Sequence, residues 1–379
     1  MAFDNAVNQM ASAPNLDRKL QLMDSLKIRF PKKDLGEPNA ILTGAYANLG
    51  QFDKAMSYLH KTTGGSRMTA WATFAYLSNP ALNNKAEQIV DQTLRSGKID
   101  KPEKIMLLKL KLNFLEKKQN YRQAATIAKT IIDMLGSKDE NANGHYAILL
   151  SKSGQYKAAF PYLQEAIENG TEDQEAMAAY RKCYQAIYPG RNVDAHLDSI
   201  NQTLLAKYKA QYENNIAKEL VKVKAPDFEL LNADSAVVSP KDFKGKIMVI
   251  DFWATWCGPC KAALPGMQQL VNMYKADTTV KFLFIHTAEQ FDDTFASVKA
   301  KSQAYFKSHH YSLPLYLDLK DKASNENKVA KNFQVKGIPH KVIIDSEGFI
   351  RLTSVGFSGS TPEIVAEMDA AIKEIKKLH

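Results

Sequence analysis

The 379-residue sequence predicts a multidomain protein: an all-α, helical-repeat region over residues 1–220 and an α/β domain with a mixed sheet over residues 221–379. Two observations predict this. Before residue 220, apolar residues recur at helical spacing between short polar turns. After Pro226, short apolar runs alternate with helical patterns. Since proline disfavours helix at the residue before it, the long polar helix pattern over 201–224 should end near Val221 to Pro226.

Composition favours an ordinary globular protein. Apolar residues make up 45% and charged residues 24% of the chain, and no run of about eighteen apolar residues predicts a transmembrane segment. The net charge of +9 is spread along the chain. Its densest basic stretch, 101–118, alternates lysines with leucine and isoleucine, which indicates a solvated helix face. We therefore expect no nucleic-acid partner.

A short pattern recurs three times in the first part of the chain. Residues 49–55 resemble 153–159, and 119–124 form a weaker copy. The aromatic positions are 69 and then 35 residues apart, as are the alanines, namely Phe52, Tyr121 and Tyr156 with Ala55, Ala124 and Ala159. Steps near 34 residues, and twice that, resemble the tetratricopeptide period, and a degenerate copy around Lys85-Ala86 would fill the gap. The resemblance implies stacked helix pairs that bind a peptide or protein partner; an irregular bundle stays open as the alternative.

The sequence Trp256-Cys257-Gly258-Pro259-Cys260 follows an apolar run, 247–253, and precedes a helical pattern, 261–275. Two thiols separated by two small or rigid residues can close and reopen a disulfide. At a strand-to-helix junction this spacing indicates a redox site. Zinc would need a second ligand pair, and the remaining cysteine, Cys183, lies in a distant helical pattern where we expect it to pack. We expect no metal and no cofactor beyond the cysteine pair.

The other elements of the second part can be placed in order. We predict strands at 228–231, 280–285, 313–319, 340–345 and 349–352, and helices over about 292–307, 325–333 and from 361 onwards. The last two strands should form a hairpin through Glu347-Gly348. Ser360 should cap the closing helix, with Pro362 in its first turn. His309-His310 lacks a third ligand at metal spacing and should lie in a loop or helix end.

Residues 251–260 resemble the thioredoxin active site. Pro265, five residues past the motif, matches the kink proline of that family, and Gly337-Ile338-Pro339 resembles its cis-proline loop. The lead-in 243–246 and the long segment between Thr287 and Leu313 resemble the TlpA/ResA-like branch. The resemblance covers about residues 222–379 and implies a thioredoxin fold.

The resemblance implies a thiol–disulfide oxidoreductase that acts as a protein-disulfide reductase or isomerase. Cys257 should lie exposed at the N-terminus of the motif helix, where backbone N–H groups stabilise a thiolate. It attacks a substrate disulfide, and Cys260 then attacks Cys257 and releases the reduced substrate. Gly258-Pro259 sets the turn between the two sulfurs and matches the dipeptide of reducing thioredoxins.

Asp251 is the third predicted catalytic residue. It lies on an otherwise apolar strand and matches the buried acid that shuttles a proton for the second cysteine in thioredoxins. A solvated aspartate at a strand end stays open as the alternative. The resemblance implies a lysine partner for this acid, but none can be placed on the strand over 280–285.

The substrate should contact the surface around the motif. Pro339, if cis, presents the Ile338 backbone to an extended substrate, and Trp253 and Trp256 should pack around the site. The predicted substrate-binding residues are therefore Trp256, Gly258, Pro259, Ile338 and Pro339.

Two positions depart from the TlpA/ResA-like pattern. Ala263 stands where that branch usually carries a glutamate, so the resemblance does not by itself imply that branch's cytochrome-maturation role. His340 follows Pro339 where threonine is common. A hydrogen-bonded sheet histidine is expected there, and a group that titrates near the site is the alternative.

The implied partners are protein disulfides or thiols and an upstream thiol reductant or oxidant. The N-terminal residues show no signal peptide, so the chain is either cytoplasmic or a mature form whose signal segment was removed. The resemblance favours an extracytoplasmic, periplasmic location. The competing function is a helical-repeat adaptor with a regulatory or idle redox domain. A peroxiredoxin would need a hydroxyl at Ala254.

Overall fold

The chain forms two units. The N-terminal unit comprises Met1–Leu163 and Ala178–Pro189, and the C-terminal unit comprises Gln164–Met177 and Gly190–His379. The computed structural model describes residues 1–136, 140–290, 293–357 and 360–378, and the side chains of all of these except 140 and 141. None of the helices in these ranges combines the length and apolar character that a membrane span requires.

Described residues before 220 form helices and turns and no strand, which confirms the mostly helical first region. The α-helices of the described residues are α1 (Ala2–Ala11), α2 (Leu16–Arg29), α3 (Gly36–Asn48), α4 (Phe52–Leu59), α5 (Gly64–Ala72), α6 (Asn83–Ser96), α7 (Lys101–Lys117), α8 (Tyr121–Leu135), α9 (Glu140–Lys152), α10 (Tyr156–Glu168), α11 (Gln174–Ile187), α12 (Val193–Glu219), α13 (Gly258–Met273), α14 (Phe295–Ser308), α15 (Lys328–Asn332) and α16 (Thr361–Lys376).

The recurring residues of the first region occupy equivalent places in its helices. The aromatic of each copy is the first residue of α4, α8 or α10, and the alanine of each copy is completely buried. Gly50 and Gly154 adopt φ angles of 72° and 80° in the turns before two of these helices, a conformation that glycine adopts without steric cost. The equivalence supports a helical repeat, and its tetratricopeptide-like nature stays a prediction.

The described residues of the second region form one mixed sheet of eight strands; a mixed sheet was predicted, whereas its short strands Val223–Lys224 and Val237–Val238 were not. Its strands are β1 (Val223–Lys224), β2 (Leu230–Asn232), β3 (Val237–Val238), β4 (Ile247–Trp253), β5 (Val280–His286), β6 (Leu315–Leu317), β7 (His340–Ile344) and β8 (Phe349–Val355). They lie side by side in the order β1-β8-β7-β4-β5-β6-β2-β3. Strands β4, β5 and β6 are parallel, whereas β7 runs antiparallel to β4 and forms the predicted hairpin with β8.

Both faces of the sheet are covered, as the alternation of strands and helices predicts. Successive side chains of β4 point to opposite faces. One face of β4 and β7 packs in a core with residues of α12, α13 and α16, and that core contains both motif cysteines. The other face packs against α15 and neighbouring loop residues, namely Phe228, Phe243, Val329, Ala330 and Phe333.

Several element ends differ from prediction. The long polar helix stops at Glu219 instead of reaching 224, because residues 223 and 224 pair with β8 as strand β1. Helix α14 starts at Phe295, where the Thr294 side chain accepts the N–H of Ser297; the predicted start at 292 lies outside the described residues. Helix α15 is shorter than 325–333 because Asn325 has a φ of 56°, which helix excludes.

The closing helix α16 is capped in a way that the sequence did not predict. The Ser360 side chain caps none of its amides, so that prediction is wrong. Instead the Glu172 carboxylate accepts hydrogen bonds from the Thr361 N–H at 2.7 Å and the Thr361 hydroxyl at 3.0 Å. A carboxylate is stabilising at this end of a helix because the unpaired amides carry partial positive charge.

Helix α12 belongs to the C-terminal unit. It lies against α16, where the Tyr212 hydroxyl is 3.3 Å from Glu363 Oε1 and Ile216 enters the core below the sheet. The unit therefore extends beyond residue 221 towards the N-terminus. That residues 1–220 and 221–379 are separate domains stays a prediction.

The close approach of α13 to α16 makes Gly266→Ala a test of the packing. A Cβ at Gly266 would lie 2.2 Å from Ile364 Cγ2 and 3.3 Å from the Thr361 carbonyl oxygen. We expect the variant to lower the free energy of unfolding by about 1–3 kcal/mol, the usual cost of overpacking, although alanine is the better helix former. Denaturant unfolding followed by tryptophan fluorescence measures this change.

Gly144→Ala on α9 is the matched control, because its Cβ would meet nothing within 4 Å. We expect this control to be neutral or slightly stabilising. A Gly266→Ala protein as stable as the wild type would contradict the packing argument.

Candidate functional site

The motif lies where β4 ends and α13 begins. Cys257 is the N-cap of α13, and its Sγ accepts the N–H of Cys260 at 3.1 Å. A disulfide joins Cys257 and Cys260. The fold therefore brings the two predicted sulfurs together at a helix N-terminus, where backbone amides can stabilise a negative charge on Cys257 once the disulfide opens.

Both cysteines are buried in this disulfide form. Cys257 is only 4% exposed and Cys260 only 1%, so the expectation of an exposed Cys257 is wrong. Cys257 Sγ lies 3.7 Å from the Ile338 carbonyl oxygen, and Ile338 packs against the same core as the disulfide. The loop that carries Ile338 therefore covers the sulfur that sequence analysis placed in solvent.

The loop over Cys257 is held by the residue that follows β8. The Ile338–Pro339 peptide bond is cis, as predicted, and Pro339 is buried. The Pro339 carbonyl accepts the N–H of Gly356 at 2.8 Å. This contact holds the Ile338 carbonyl beside the disulfide.

The two tryptophans that flank the motif occupy different environments. Trp256 is 45% exposed, and its indole N–H donates to the Ala288 carbonyl at 3.1 Å, in the loop after β5. Trp253 is completely buried and stacks on Phe306 with 4.9 Å between ring centroids. Trp256 therefore offers an accessible apolar surface next to the disulfide, while Trp253 belongs to the core beneath it.

Asp251 is buried, which excludes the solvated alternative. It is 1% exposed and lies on the same face of β4 as Trp253, the face that packs under α13. Burial raises the pKa of its carboxyl to about 6, although the nearby Lys341 ammonium opposes the rise. Such a carboxyl can change its protonation state close to neutral pH.

Lys341 is the basic partner that sequence analysis could not place. It lies directly across from Asp251 on β7, with its Nζ 3.8 Å from Asp251 Oδ1, and its side chain is 2% exposed. The available signal was a lysine inside the apolar run of β7. A single sequence does not reveal which strand pairs with β4, so it does not identify this lysine as the partner of Asp251.

A second buried group, also missed, supports the motif loop. His286 ends β5, and its Nε2 accepts the Thr255 N–H at 3.4 Å. Its Nε2 also lies 3.8 Å from Glu289 Oε2, which in turn is 3.7 Å from Lys301 Nζ. Burial lowers the pKa of His286 to about 4, so the neutral ring holds the loop between β4 and α13 at physiological pH.

His340 does not meet its expectation. Among the described residues, neither of its ring nitrogens has a hydrogen-bond partner, so the expected hydrogen-bonded sheet histidine is wrong. The ring points to the apolar face, edge-on to Phe252 at 6.1 Å between centroids, and burial lowers its pKa.

Two further positions singled out from the sequence, Cys183 and His309, lie as predicted. Ala263 is completely buried on α13, and Cys183 is buried on α11, where burial raises the pKa of its thiol. His309 follows the last residue of α14, as expected for a helix end. Within the described ranges, no cluster of histidine, cysteine and carboxylate side chains could hold a metal ion.

Known proteins resemble the part of the chain that contains this site. Residues 221–353 match the AhpC/TSA family. The thioredoxin-like protein YneN of Bacillus subtilis (strain 168) is 28% identical over 132 residues, which are 35% of this chain and 69% of YneN. The thiol-disulfide oxidoreductase ResA of Bacillus cereus (strain ATCC 10987 / NRS 248) is 28% identical over 151 residues, 40% of this chain and 76% of ResA.

Solved structures with similarity to the chain include StoA from Bacillus subtilis, at 23% identity and a TM-score of 0.30, covering 40% of this chain and 96% of StoA. A thiol:disulfide interchange protein of the thioredoxin family from Chlorobium tepidum TLS has 23% identity and a TM-score of 0.31, covering 40% of this chain and 97% of its own.

The raised pKa of Asp251 predicts how Asp251→Asn changes stability with pH. An aspartate ionises near 3.9 in an unfolded chain and at about 6 here, so ionisation should cost the folded state about 2 kcal/mol of stability as pH rises from 4 to 8. Asparagine cannot ionise. The variant should therefore gain stability relative to the wild type over this interval, as measured by denaturant unfolding of the oxidised proteins.

Asp234→Asn, at an exposed turn of the same unit, is the control and should show no such trend. The His286 contribution is common to all three proteins and cancels in the difference. A stability difference between Asp251→Asn and wild type that stays constant from pH 4 to 8 would show that Asp251 has an ordinary pKa.

Proposed function

We propose that the chain is a thiol–disulfide oxidoreductase of the thioredoxin superfamily, similar to its TlpA/ResA-like group, and that it reduces or isomerises protein disulfides through Cys257 and Cys260. One observation carries this proposal. The two sulfurs form a disulfide at the N-terminus of α13, with the Cys260 N–H directed at Cys257 Sγ. This arrangement suits a thiolate at 257 and an attacking thiol at 260.

The proposed reaction begins from the reduced pair. The Cys257 thiolate attacks one sulfur of a substrate disulfide, a mixed disulfide forms, and the other substrate sulfur leaves as a thiolate. The thiol of Cys260 then loses its proton to the Asp251 carboxylate and attacks Cys257 Sγ. This step closes the Cys257–Cys260 disulfide and releases the second substrate thiol. An upstream thiol reductant supplies the two electrons for the next cycle, so the two cysteines need no further cofactor.

The proposed substrate surface surrounds Cys257. Trp256 contributes an exposed indole, and the Ile338 carbonyl lies next to the reactive sulfur, held there by Pro339. Gly258 and Pro259 open α13 and keep large side chains away from the sulfur. An extended substrate segment can lie along the surface that these residues form and present its disulfide to Cys257.

The direction of the reaction follows from the motif. The Gly258-Pro259 dipeptide is that of reducing thioredoxins, whose potential lies near −270 mV. We therefore favour reduction or isomerisation over net oxidation. Binding of a peptide or protein partner by the helical repeats would bring particular substrates to the redox domain.

Cysteine variants test this function through insulin reduction with dithiothreitol. We expect Cys257→Ser to reduce activity to the background of dithiothreitol alone, because the attacking sulfur is gone. Cys260→Ser should retain the attack and accumulate a mixed disulfide with the substrate, visible by non-reducing electrophoresis.

Cys183→Ser is the matched control, since Cys183 is buried on α11 and has no proposed role. It should keep wild-type activity. If Cys257→Ser turns over insulin as fast as the wild type, the protein is not a cysteine-dependent reductase, and partner binding that survives loss of both motif cysteines would favour an adaptor.

We further propose that the protein works outside the cytoplasm, in the periplasm of a bacterium, as the TlpA/ResA-like resemblance implies. Expression of the complete natural reading frame followed by cell fractionation measures this. We expect the protein to leave the cell with periplasmic markers while a cytoplasmic marker enzyme stays behind. Retention with the cytoplasmic marker would support the alternative, a cytoplasmic reductase.

A further inference from the structure

The end of β5 and the loop after it, residues 286–289, combine backbone strain with buried ionisable side chains. Ala288 has a φ of 55°, a left-handed conformation that costs an alanine energy and that glycine adopts freely. The side chain of the next residue, Glu289, is only 4% exposed, and that of His286 only 1%. Such costs persist where a site needs a fixed geometry. Here they fall on the segment that contacts the redox motif.

This segment forms hydrogen bonds with two consecutive residues of the motif loop. The Thr255 N–H donates to His286 Nε2 at 3.4 Å. The Trp256 indole N–H donates to the carbonyl of Ala288, the strained residue itself, at 3.1 Å. Since Trp256 is 45% exposed, the second contact fixes the direction of an indole that would otherwise be free to turn in solvent. The segment thus holds both the backbone before the indole and the indole nitrogen.

His286 is itself held in place. Its ring lies edge-on to Trp253, with 5.5 Å between centroids. Its Nε2 is 3.8 Å from Glu289 Oε2, which is 3.7 Å from Lys301 Nζ on α14. The Lys320 ammonium donates to the Glu289 carbonyl at 2.7 Å. Burial lowers the pKa of His286 to about 4 against the opposing effect of Glu289, and a neutral ring can accept a hydrogen bond at Nε2.

The indole that this segment orients lies next to the reactive sulfur. Trp256 directly precedes Cys257, whose Sγ is 3.7 Å from the Ile338 carbonyl oxygen. The side chains of Trp256 and Ile338 are both apolar, the first exposed and the second half-buried. A rigid aromatic surface binds apolar groups well, because little rotamer freedom is lost on binding. The arrangement therefore suits a substrate with a large apolar side chain beside its reactive cysteine.

We propose that His286 and Ala288 are positioning residues for substrate recognition, which hold the Trp256 indole as a preformed surface for a large apolar side chain next to the substrate cysteine. The proposal rests on the proposed function, since it concerns the disulfide that Cys257 attacks. Neither positioning residue takes part in the exchange itself. The Cys257 thiolate bonds to one substrate sulfur, and the other sulfur leaves as a thiolate.

Three disulfides with the same leaving group test this proposal in the reduced full chain, with Cys183→Ser as the background. Each is a cysteine joined to thionitrobenzoate: one lies between two leucines of a short peptide, one between two glycines, and one is cysteine alone. Attack of Cys257 on the cysteine sulfur releases the coloured thiolate. Stopped-flow absorbance gives the limiting rate and the half-saturating concentration. The leucine peptide should half-saturate the background protein at a roughly tenfold lower concentration than the glycine peptide.

His286→Met removes the acceptor for the Thr255 N–H, whereas glutamine can still offer one. We expect His286→Met to raise the half-saturating concentration of the leucine peptide roughly fivefold and to keep the limiting rate within about twofold. The reaction with cysteine alone should keep its rate and its pH midpoint over pH 5 to 9. His286→Gln should restore most of the affinity. His310→Met, at an exposed histidine of the same unit, is the matched control and should change nothing.

Ala288→Gly gives an independent test without loss of folding, because glycine relieves the left-handed strain. We expect the midpoint of thermal unfolding to stay the same or rise. The looser backbone should nevertheless raise the half-saturating concentration of the leucine peptide severalfold. A purely structural role for this residue would leave the affinity of so stable a variant unchanged.

A Trp256→Ala background shows whether both residues act through the indole. There the preference for the leucine peptide should disappear, and His286→Met or Ala288→Gly should cause no further change. Additive effects overturn the proposal, as does an unchanged affinity in both single variants or equal affinity of the Cys183→Ser protein for the two peptides. A shifted pH midpoint with cysteine alone would also overturn it, since His286 would then act on the thiolate. Failure of the Cys183→Ser protein to react with any of the three disulfides would instead contradict the proposed function.

Discussion

Burial of strand β4 on both faces and along both edges is the constraint on which the site depends. All seven of its residues are buried, and it pairs with β5 on one side and β7 on the other. The strand fixes where Cys257 emerges and how α13 leaves the sheet. It also places Asp251 in the core below that helix. Strand β4 therefore positions the two sulfurs, although it contains neither cysteine.

The same burial explains the electrostatics of the site. A carboxyl held away from water has a raised pKa, and a lysine held beside it partly offsets the cost of ionisation. Neither group alone would be stable in this core. Exchange of a proton between them leaves the net charge of this core unchanged. His286 differs from this pair because burial lowers its pKa and keeps the ring neutral. The ring therefore supports the motif loop without adding a charge to the core.

Much of the fold and the centre of the site could be predicted from local patterns. The helical first region, the mixed sheet, the β7–β8 hairpin and the Cys257–Cys260 pair all depend on periodicity or short spacing, which a single sequence displays. The errors concern contacts between residues far apart in sequence. Burial of Cys257 depends on Ile338, and the cap of α16 comes from Glu172, 189 residues before Thr361.

The local sequence was thus enough to predict that two thiols lie close together at the start of a helix, because only a short stretch of chain separates them. It was also enough to predict an acidic residue on the strand that precedes the two thiols. The base that this acid faces could be known only from the assembled sheet. The packing of the whole sheet determines which strands are neighbours. The pairing of β7 with β4 places Lys341 opposite Asp251.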